Sequence, residues 1–425
     1  MAEKLKSEIT LWTWIVKFLR LFVLIYFLIY MFPFPLTDIP VIGEVLFYYY
    51  DVIDFLTVWL GKNVLRLSSV EVIEMTGSGD TTYDYIETLS LAIISLFVSI
   101  VVFAFTAKRS NYEKLHYALM TYARYYLALY LLSYGFTKFF EGQFIYPDIV
   151  QLEQKIGDSS PMGLLWKFMG YSKPYTFFSG ICEVAAGLFL FFNRTSVIGS
   201  LLSIVVMTNV VLLNFAYDVP VKLLSLHLLA LSFFIISPNL LNLFHFFFSN
   251  KTAMFKVEKL ELENKWLRYG RIAVKAIVVI GFPAMYVFTF TSYMEGKVGN
   301  HLTAAYTTQE FTVNNDTLSA CEKEDVRWNK FILEDSYAKI IFENEKSLYY
   351  KLTVDTTLQV VNLIPYKDTS VTYTLNYNFI TDKLFSLSGQ FRSDSISATF
   401  KVKRKEEYEL LKRGFNWVQE YPYNR

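Results

Sequence analysis

The sequence has little charge for its length. Only 19% of its 425 residues are Asp, Glu, Lys or Arg, against about 25% in a typical soluble domain. Forty Lys and Arg oppose 39 Asp and Glu, so the formal net charge is +1. This balance excludes a generally basic nucleic-acid-binding protein, and a hydrophobic content of 53% excludes a disordered chain.

Cysteine and histidine are too sparse for the common metal and redox motifs. Cys182 and Cys321 are 139 positions apart, so the chain has no CxxC motif. No two of the four histidines stand at i, i+3 or i, i+4, which leaves a metal pair on one helix unsupported. We therefore predict neither a metal site nor a thiol redox pair.

Long apolar runs are abundant, and they predict an integral membrane protein. A helix needs about 20 mainly apolar residues to cross the hydrocarbon core of a bilayer. Seven candidate spans cover approximately residues 10–32, 88–107, 115–140, 174–192, 195–216, 220–238 and 270–292. Because proline interrupts a helix, Pro238 is expected to end the sixth span before a short interfacial helix over 239–248.

The charges of the loops predict the orientation of these spans. Residues 249–271 carry six Lys or Arg and three Glu, whereas residues 33–87 carry nine Asp or Glu but only Lys62 and Arg66. Cytoplasmic loops are enriched in Lys and Arg, so the first loop is expected inside and the second outside. Seven spans then place the N-terminus in the cytoplasm and the C-terminal region outside.

Two predicted external loops are longer than simple connections. Residues 38–60 place Glu44, Tyr48 and Asp51 on one stripe of an otherwise apolar helix, which is typical of an interfacial helix. Residues 141–173 predict two short interfacial helices. Loops of this length either cap a cavity or connect spans, and the sequence leaves both interpretations open.

After residue 293 the pattern changes from apolar runs to alternation of apolar and polar residues. Runs with a period of two, separated by turn residues, occupy residues 338–354, 370–379 and 395–405. Six to eight short strands predict an antiparallel all-β domain, either a sandwich or a small barrel. A brief helix is predicted over 406–413, and the aromatic tail beyond it is expected to dock rather than lie in solvent.

Polar residues inside the predicted spans are the main functional candidates, because a charge at the bilayer centre costs roughly 2.5–3.5 kcal/mol on insertion scales. Arg124, Glu183 and His227 reach similar depths on three spans, and Asn214 lies on a fourth. We expect Arg124 to pair with Glu183. The pair either fixes helix packing or belongs to a polar site for a quinone, a headgroup or a proton path.

A second polar cluster is predicted at the outer face, near the Gly-rich segment TGSGDTTYDY at 76–85. Its charged members are Lys138, Asp218 and Lys222, with Asp80 and Asp84 on the loop. The loop backbone would form a nest for an anion, or Asp80 and its neighbours would cap the helix that follows. We favour the cap, because no Lys follows the glycines as in a phosphate-binding loop.

Spans three to six share a diffuse four-helix pattern with an intramembrane Glu after the first inner turn. The pattern runs through ARYYLALYLLSYGFTKFF (123–140), SGICEVAAGLFLFFNRTSVIGSLLSIVVMTNVVLLNF (179–215) and YDVPVKLLSLHLLALSFF (217–234). In this region the chain resembles the DoxX-like membrane family. The resemblance implies a four-helix bundle in the bacterial inner membrane, and some relatives are subunits of quinone-linked oxidoreductases or partners in thiol-stress complexes.

These features predict a membrane helical bundle of about seven spans with a DoxX-like four-helix core, followed by a small antiparallel all-β domain. The expected divisions are N-terminal helices with an acidic loop (1–110), the four-helix bundle (111–250), a basic loop with the last span (251–292) and a periplasmic β domain (293–425).

The first functional hypothesis is a bundle that binds a quinone or lipid-like ligand within a membrane oxidoreductase system. Its candidate ligand-binding residues are Arg124, Glu183, His227, Asn214, Lys138, Asp218 and Lys222. No catalytic residue is assigned, and a quinone is the candidate cofactor. The alternative is a non-enzymatic envelope scaffold whose β domain binds a membrane or periplasmic protein. A transporter is a weaker third class, because the spans show no inverted repeat.

Overall fold

The computed structural model describes residues 2–38, 41–72, 76–106, 113–249, 252, 254–255, 264–295, 299–319 and 322–424. The chain divides into two compact units. The first comprises Met1–Phe144 and Ser172–Val287, and the second comprises Ile145–Tyr171 and Phe288–Arg425. A segment of the predicted external loop 141–173 therefore belongs to the same unit as the C-terminal domain, a grouping that the sequence did not indicate.

The helices follow the apolar runs of the sequence. In chain order they are α1 (Ala2–Met31), α2 (Ile42–Trp59), α3 (Thr82–Thr106), α4 (Glu113–Phe139), α5 (Ile149–Glu153), α6 (Pro161–Tyr171), α7 (Lys173–Leu190), α8 (Ser196–Ala216), α9 (Lys222–Ile236), α10 (Leu240–Phe248), α11 (Lys265–Ala276), α12 (Phe282–Glu295) and α13 (Glu409–Lys412). Helices α5, α6 and α13 belong to the second unit. The predicted break at Pro238 is confirmed by a 3₁₀ turn over Ser237–Asn239.

Within the described residues, four helical stretches are long and apolar enough to cross a membrane. They are Trp14–Met31, Thr82–Thr106, Ser196–Ala216 and Lys222–Phe248. These stretches support the expectation of a membrane protein. The predicted spans 115–140 and 174–192 form α4 and α7, whereas 270–292 forms α11, a π-helical turn and α12. The count of seven spans and their orientation stay predictions.

Helices α4, α7, α8 and α9 form a closed four-helix bundle. Each packs on the next, and α9 returns to α4, while α1 packs on α3 and α4. The bundle core is built from fully buried small and branched side chains, among them Ala123, Leu127, Ala186, Leu190 and Leu228. The segments of predicted spans three to six therefore form a four-helix bundle, which is the arrangement that the DoxX-like resemblance implied.

The second unit contains an antiparallel β-barrel. Its strands are β1 (Ala304–Val313), β2 (Asp316–Thr317), β3 (Trp328–Leu333), β4 (Tyr337–Phe342), β5 (Ser347–Asp355), β6 (Val360–Pro365), β7 (Tyr373–Thr381), β8 (Leu384–Phe391) and β9 (Asp394–Lys403). Strands β3 to β9 pair in chain order, and β1 pairs with both β3 and β9. This closure selects the barrel over the sandwich. The short strand β2 pairs with the end of β1.

Large aromatic side chains fill the barrel interior. Tyr306, Trp328, Phe331, Phe385 and Phe400 are each at most 1% exposed and belong to one apolar cluster. Alternate residues point inwards because successive side chains of a strand lie on opposite faces. Eight strands enclose an interior just wide enough for side chains to fill, so this barrel is a packed core.

Candidate functional site

A buried ion pair joins α4 to α7. Lys138 Nζ donates hydrogen bonds to both carboxylate oxygens of Glu183, at 2.8 and 2.7 Å. The two side chains are only 6% and 3% exposed. An unpaired charge is costly to bury, so each side chain supplies the counter-charge that the other needs.

The predicted pairing of Glu183 with Arg124 is wrong, because Lys138 binds Glu183. Helices α4 and α7 run antiparallel, and Gly135 faces Gly180 next to the ion pair. Arg124 lies 14 residues before Lys138, which is about 21 Å along a helix. Depth estimates made for each span separately could not determine the register between the two helices.

The ion pair lies where α4 and α7 approach backbone to backbone. A Cβ added to Gly135 or to Gly180 would lie 2.8 Å from the carbonyl oxygen of the other glycine. The rings of Tyr134 and Phe144 flank Lys138 Nζ, with centroids at 5.7 and 5.9 Å. The two helices therefore leave no gap for a quinone ring between them at this level.

Arg124 binds the opposite end of α7. Its Nε donates to the carbonyl oxygen of Leu190 at 2.9 Å, and its Nη1 donates to Asn193 Oδ1 at 2.7 Å. Leu190 is the last residue of α7, where the helix leaves carbonyl groups without intrahelical partners. The guanidinium satisfies one of them, and its charge complements the negative end of the helix dipole.

His227 lies on α9, and its ring is held by hydrogen bonds to α9 itself and to α1. Its Nδ1 lies 2.7 Å from the carbonyl oxygen of Leu223, and its Nε2 lies 2.6 Å from Tyr26 Oη. Because a carbonyl only accepts, Nδ1 carries the proton and Nε2 accepts from the tyrosine. The Tyr30 ring stacks on the imidazole at a centroid distance of 4.2 Å. Both nitrogens and one ring face are thus occupied.

Sequence reasoning missed Tyr26 and Tyr30, since the first span lies outside the four-helix pattern. The feature of the sequence that could have indicated them is their i, i+4 spacing, which puts both rings on one face of α1. A neighbouring helix was needed to show that this face meets His227.

The predicted outer cluster divides into separate contacts. Asp80 accepts hydrogen bonds from the backbone N–H groups of Lys222 and Leu223, at 2.7 and 2.9 Å. Asp80 therefore caps the N-terminus of α9. The cap predicted for the helix that follows the loop is provided by its neighbour Thr81, whose hydroxyl accepts from the backbone N–H of Asp84 at 3.3 Å while the Asp84 carboxylate accepts from the backbone N–H of Thr81 at 2.6 Å. Lys222 Nζ lies 2.8 Å from Asp218 and 3.8 Å from Asp80. Lys138 is not in this cluster, because it binds Glu183.

The predicted ligand-binding residues do not converge on one site. Asn214 Nδ2 donates to Ser225 Oγ at 3.0 Å and so joins α8 to α9. The seven residues form separate sets, namely Lys138 with Glu183, Asp218 with Lys222, and Arg124, Asn214 and His227 each with other partners. Each set links one helix to a neighbouring helix or to a loop. Polar contacts that stabilise the fold without binding a ligand have this arrangement.

A small polar cleft lies beside Arg124. Its volume is about 30 Å³, which is room for about two water molecules. Its polar lining comes from the first half of α4, the α7–α8 turn, the start of α8 and the α9–α10 turn, through Tyr117, Thr121, Arg124, Asn193, Ser196 and Asn239. The sequence did not predict this cleft, because its residues come from four separate segments.

In the second unit, α5 packs on the outside of the barrel. Ile149 is fully buried and clusters with Ala305, Ile332 and Tyr408. The backbone N–H of Ile149 donates to Glu334 at 2.5 Å. These contacts explain why a segment far from the barrel in sequence belongs to the barrel unit.

Two carboxylates at this contact have shifted acidities. Burial opposes ionisation of Glu153, but hydrogen bonds from Lys330 and Tyr408 and the charges of Lys330 and Lys403 outweigh it and lower its pKa. Burial raises the pKa of Glu334 to about 7, with a further contribution from the charge of the nearby Asp148. We therefore expect the α5 contact to depend on pH.

The C-terminal tail after α13 leaves large apolar side chains in solvent. Phe415, Trp417, Val418 and Tyr421 are 80%, 91%, 77% and 84% exposed. The rings of Phe415 and Trp417 meet edge to face at 5.0 Å. The expected docking of the tail is therefore wrong for these side chains within the described chain, whereas Tyr423 does dock, since its hydroxyl donates to Glu409 and its ring centroid lies 3.9 Å from Arg413 Cζ.

The chain is similar to a short bacterial protein over part of its length. It is 34% identical over 104 residues to the uncharacterized protein YwoB of Bacillus subtilis (strain 168). The match covers 24% of this chain and 64% of YwoB, which is less than two thirds of that relative. No protein-family model and no solved structure matches the chain. The DoxX-like resemblance therefore stays a prediction.

Proposed function

We propose that this protein is a non-enzymatic membrane scaffold. Its helical bundle anchors an extracytoplasmic β-barrel domain, and the aromatic C-terminal tail of that domain binds a partner protein. The exposure of Phe415, Trp417, Val418 and Tyr421 carries the proposal. Exposed apolar patches mark interaction sites, and Trp and Tyr are enriched among the residues that dominate binding energy.

The barrel is suited to displaying its outer surface and its tail to a partner protein. Its interior is packed with aromatic side chains, so a ligand inside it would have to displace the core. Its outer surface and its tail are what remain for recognition. The partner that fits is a protein with an apolar groove, because the tail offers aromatic rings and little charge.

The contacts inside the bundle support an anchoring role. The polar groups of Glu183, His227 and Asn214 are engaged by side chains and backbone of the same chain. Such contacts hold helices in register and need no ligand. A quinone at His227 would have to displace Tyr30 or Tyr26.

Site-specific photo-crosslinking tests the scaffold proposal on the full-length chain in its native cells. A photoreactive residue in place of Trp417 is expected to form one defined protein adduct. The same residue in place of Lys367, an exposed position in the loop between β6 and β7, is the matched control and should not form it. Adducts that are equal at both positions would reject a tail-specific partner.

A second variant separates binding from folding. Phe415→Ser with Trp417→Ser should abolish an adduct formed from position 421, and it should leave the free energy of unfolding of the barrel within about 0.5 kcal/mol of the wild type, since these side chains lie in solvent. Loss of barrel stability would instead make the tail a structural element.

The quinone hypothesis makes a contrasting prediction. If the bundle holds a quinone near Glu183, gently purified protein contains it stoichiometrically, and Glu183→Gln loses it. Native mass spectrometry with lipid extraction measures both. A protein without quinone, or one that retains it equally in the variant, agrees with the anchoring role.

A further inference from the structure

We propose that the cleft beside Arg124 binds the phosphate of an anionic phospholipid headgroup. This inference is independent of the scaffold function, because the cleft lies in the helical unit and the proposed partner-binding tail lies in the barrel unit. It assigns a ligand chemistry to a site that combines clustered cations, a buried hydroxyl and a basic amphipathic helix.

Three cations gather at this end of the bundle. Lys275 Nζ of α11 lies 4.0 Å from the ring centroid of Phe192, which precedes the cleft-lining Asn193. Lys275 is also within electrostatic range of Arg124 and Arg271. Of the three, Arg124 lines the cleft itself. Like charges brought together repel one another, so an anion bound at Arg124 lowers the electrostatic energy of all three.

The cleft also presents a hydroxyl group that the protein does not use. Thr121 Oγ1 lines the cleft and is buried, and it has no hydrogen-bond partner among the described residues. A buried hydroxyl without a partner costs roughly as much as a lost hydrogen bond. Ser196, the first residue of α8, lies in the same lining, and a helix N-terminus favours negative charge.

Helix α11 indicates that the anion belongs to a lipid. Its basic residues, Lys265, Arg268, Arg271 and Lys275, recur every three or four positions and so share one side of the helix. Other positions carry the exposed apolar side chains of Trp266, Leu267 and Tyr269. A basic amphipathic helix with exposed Trp and Leu is typical of a membrane interface that contains anionic lipid.

The size of the cleft limits what enters it. About 30 Å³ holds part of a headgroup and excludes a whole lipid. The acyl chains would therefore remain outside the cleft, along the apolar surface. The predicted basic loop 249–271 includes the first half of α11 and is expected at the cytoplasmic face, where anionic lipids are concentrated.

Native mass spectrometry of the full-length protein in detergent tests this proposal. The probes are dioleoylphosphatidylglycerol, which is anionic, and dioleoylphosphatidylcholine, which has no net charge. We expect one tightly bound phosphatidylglycerol and at least tenfold weaker binding of phosphatidylcholine. Lys275→Gln and Arg271→Gln should each weaken phosphatidylglycerol binding about fivefold. Lys265→Gln, ten residues or about 15 Å from Lys275, is the matched control and should change it less than twofold.

Thr121→Val provides a variant that leaves the charge unchanged. It removes the buried hydroxyl, so it should weaken phosphatidylglycerol binding several-fold while the lipid-free protein melts at the same temperature or higher. An unfolded variant is recognised by gel filtration, and the Arg271 and Lys275 variants then carry the test, because both side chains lie at the surface or half-buried.

Three results would overturn the proposal. Equal weakening by Lys265→Gln and Lys275→Gln would mean diffuse attraction to the whole basic helix. Equal binding of the two lipids would mean that the phosphate charge is not recognised. Displacement of phosphatidylglycerol by 10 mM inorganic phosphate would assign the cleft to a soluble anion instead.

Discussion

Lys138 and Glu183 form an ion pair that is buried in the bundle away from water, so each side chain needs the counter-charge of the other. Their mutual hydrogen bonds at 2.8 and 2.7 Å satisfy both groups. A buried pair of this kind adds little net stability compared with apolar residues, but loss of one member leaves an uncompensated charge. The consequence of a substitution therefore depends on which partner remains.

Glu183→Leu should lower the free energy of unfolding of the bundle by about 3–5 kcal/mol, because it leaves the Lys138 ammonium buried alone. Lys138→Met combined with Glu183→Leu should recover most of that loss. Denaturant unfolding in detergent measures both variants. Asp218→Asn, which breaks an ion pair in which the Asp218 side chain itself is 82% exposed, is the control and should cost less than about 1 kcal/mol. A double variant as unstable as the single one would contradict this account.

Glu334 makes the stability of the barrel depend on pH. Its pKa in the folded state is about 7, against 4.5 for an ordinary Glu. The folded domain therefore binds more protons than the unfolded chain between these values, so its stability falls as pH rises through this window. Pulse proteolysis of the full chain after equilibration at pH 5, 6, 7 and 8 should show this decline.

Glu334→Gln should remove most of that pH dependence, since Gln still accepts the hydrogen bond from the Ile149 N–H. Glu153 provides the opposite case. Its lowered pKa contributes stability that is present above an ordinary Glu pKa and is lost only as pH falls through its folded value. Glu153→Gln should therefore leave the decline between pH 5 and 8 unchanged. An unaltered slope in Glu334→Gln would reject the assignment.

At the scale of secondary-structure elements, the crossing of α4 and α7 depends on two glycines. Gly135 and Gly180 let the backbones approach until a Cβ on either would lie 2.8 Å from the opposite carbonyl oxygen. Close approach at small residues is how helices associate in membranes, where the hydrophobic effect does not drive them together. The same approach sets the register that brings Lys138 to Glu183.

Gly180→Ala should separate the two helices and destabilise the bundle by about 1–3 kcal/mol, as overpacking does. Gly270→Ala in α11 is the matched control, because a Cβ there meets nothing within 4 Å. It should be neutral or slightly stabilising, since Ala favours a helix more than Gly does. Thermal unfolding in detergent compares the two, and equal effects would show that the crossing tolerates the extra methyl group.

At the scale of the whole molecule, the barrel domain is assembled from two distant parts of the chain. Ile149 is fully buried against barrel residues, whereas Ile156 of the same segment is 79% exposed. The same Ile→Ala substitution can therefore be compared at a buried and at an exposed position of one segment. Removal of a buried isoleucine side chain costs its transfer energy and leaves a cavity.

Ile149→Ala should therefore lower the free energy of unfolding of the barrel by about 2–4 kcal/mol. Ile156→Ala should change it by less than about 0.5 kcal/mol. Pulse proteolysis of the barrel in the full-length protein measures both. If the two substitutions have equal effects, the segment 145–171 does not contribute to barrel stability.

Local patterns predicted a large part of the fold. The apolar runs, the break at Pro238 and the period-two alternation after residue 293 all correspond to elements of the structure. Each depends on residues a few positions apart, whose conformational preferences and burial pattern a single sequence records. The candidate site was predicted less well, because the individual polar residues were found but Arg124 was given the wrong partner.

The sequence by itself determined which long apolar segments are helices, that the region after residue 293 forms strands, and that polar residues such as Glu183 and Asn214 are buried among apolar ones. Tertiary structure alone decided that Lys138 meets Glu183, that β1 closes on β9, and that α5 packs on the barrel. The residues that these contacts join are 45 positions apart in the ion pair and much farther apart in the α5 contact. They depend on how whole elements pack, because helix register and strand closure are set by side-chain volumes at interfaces that no local pattern encodes.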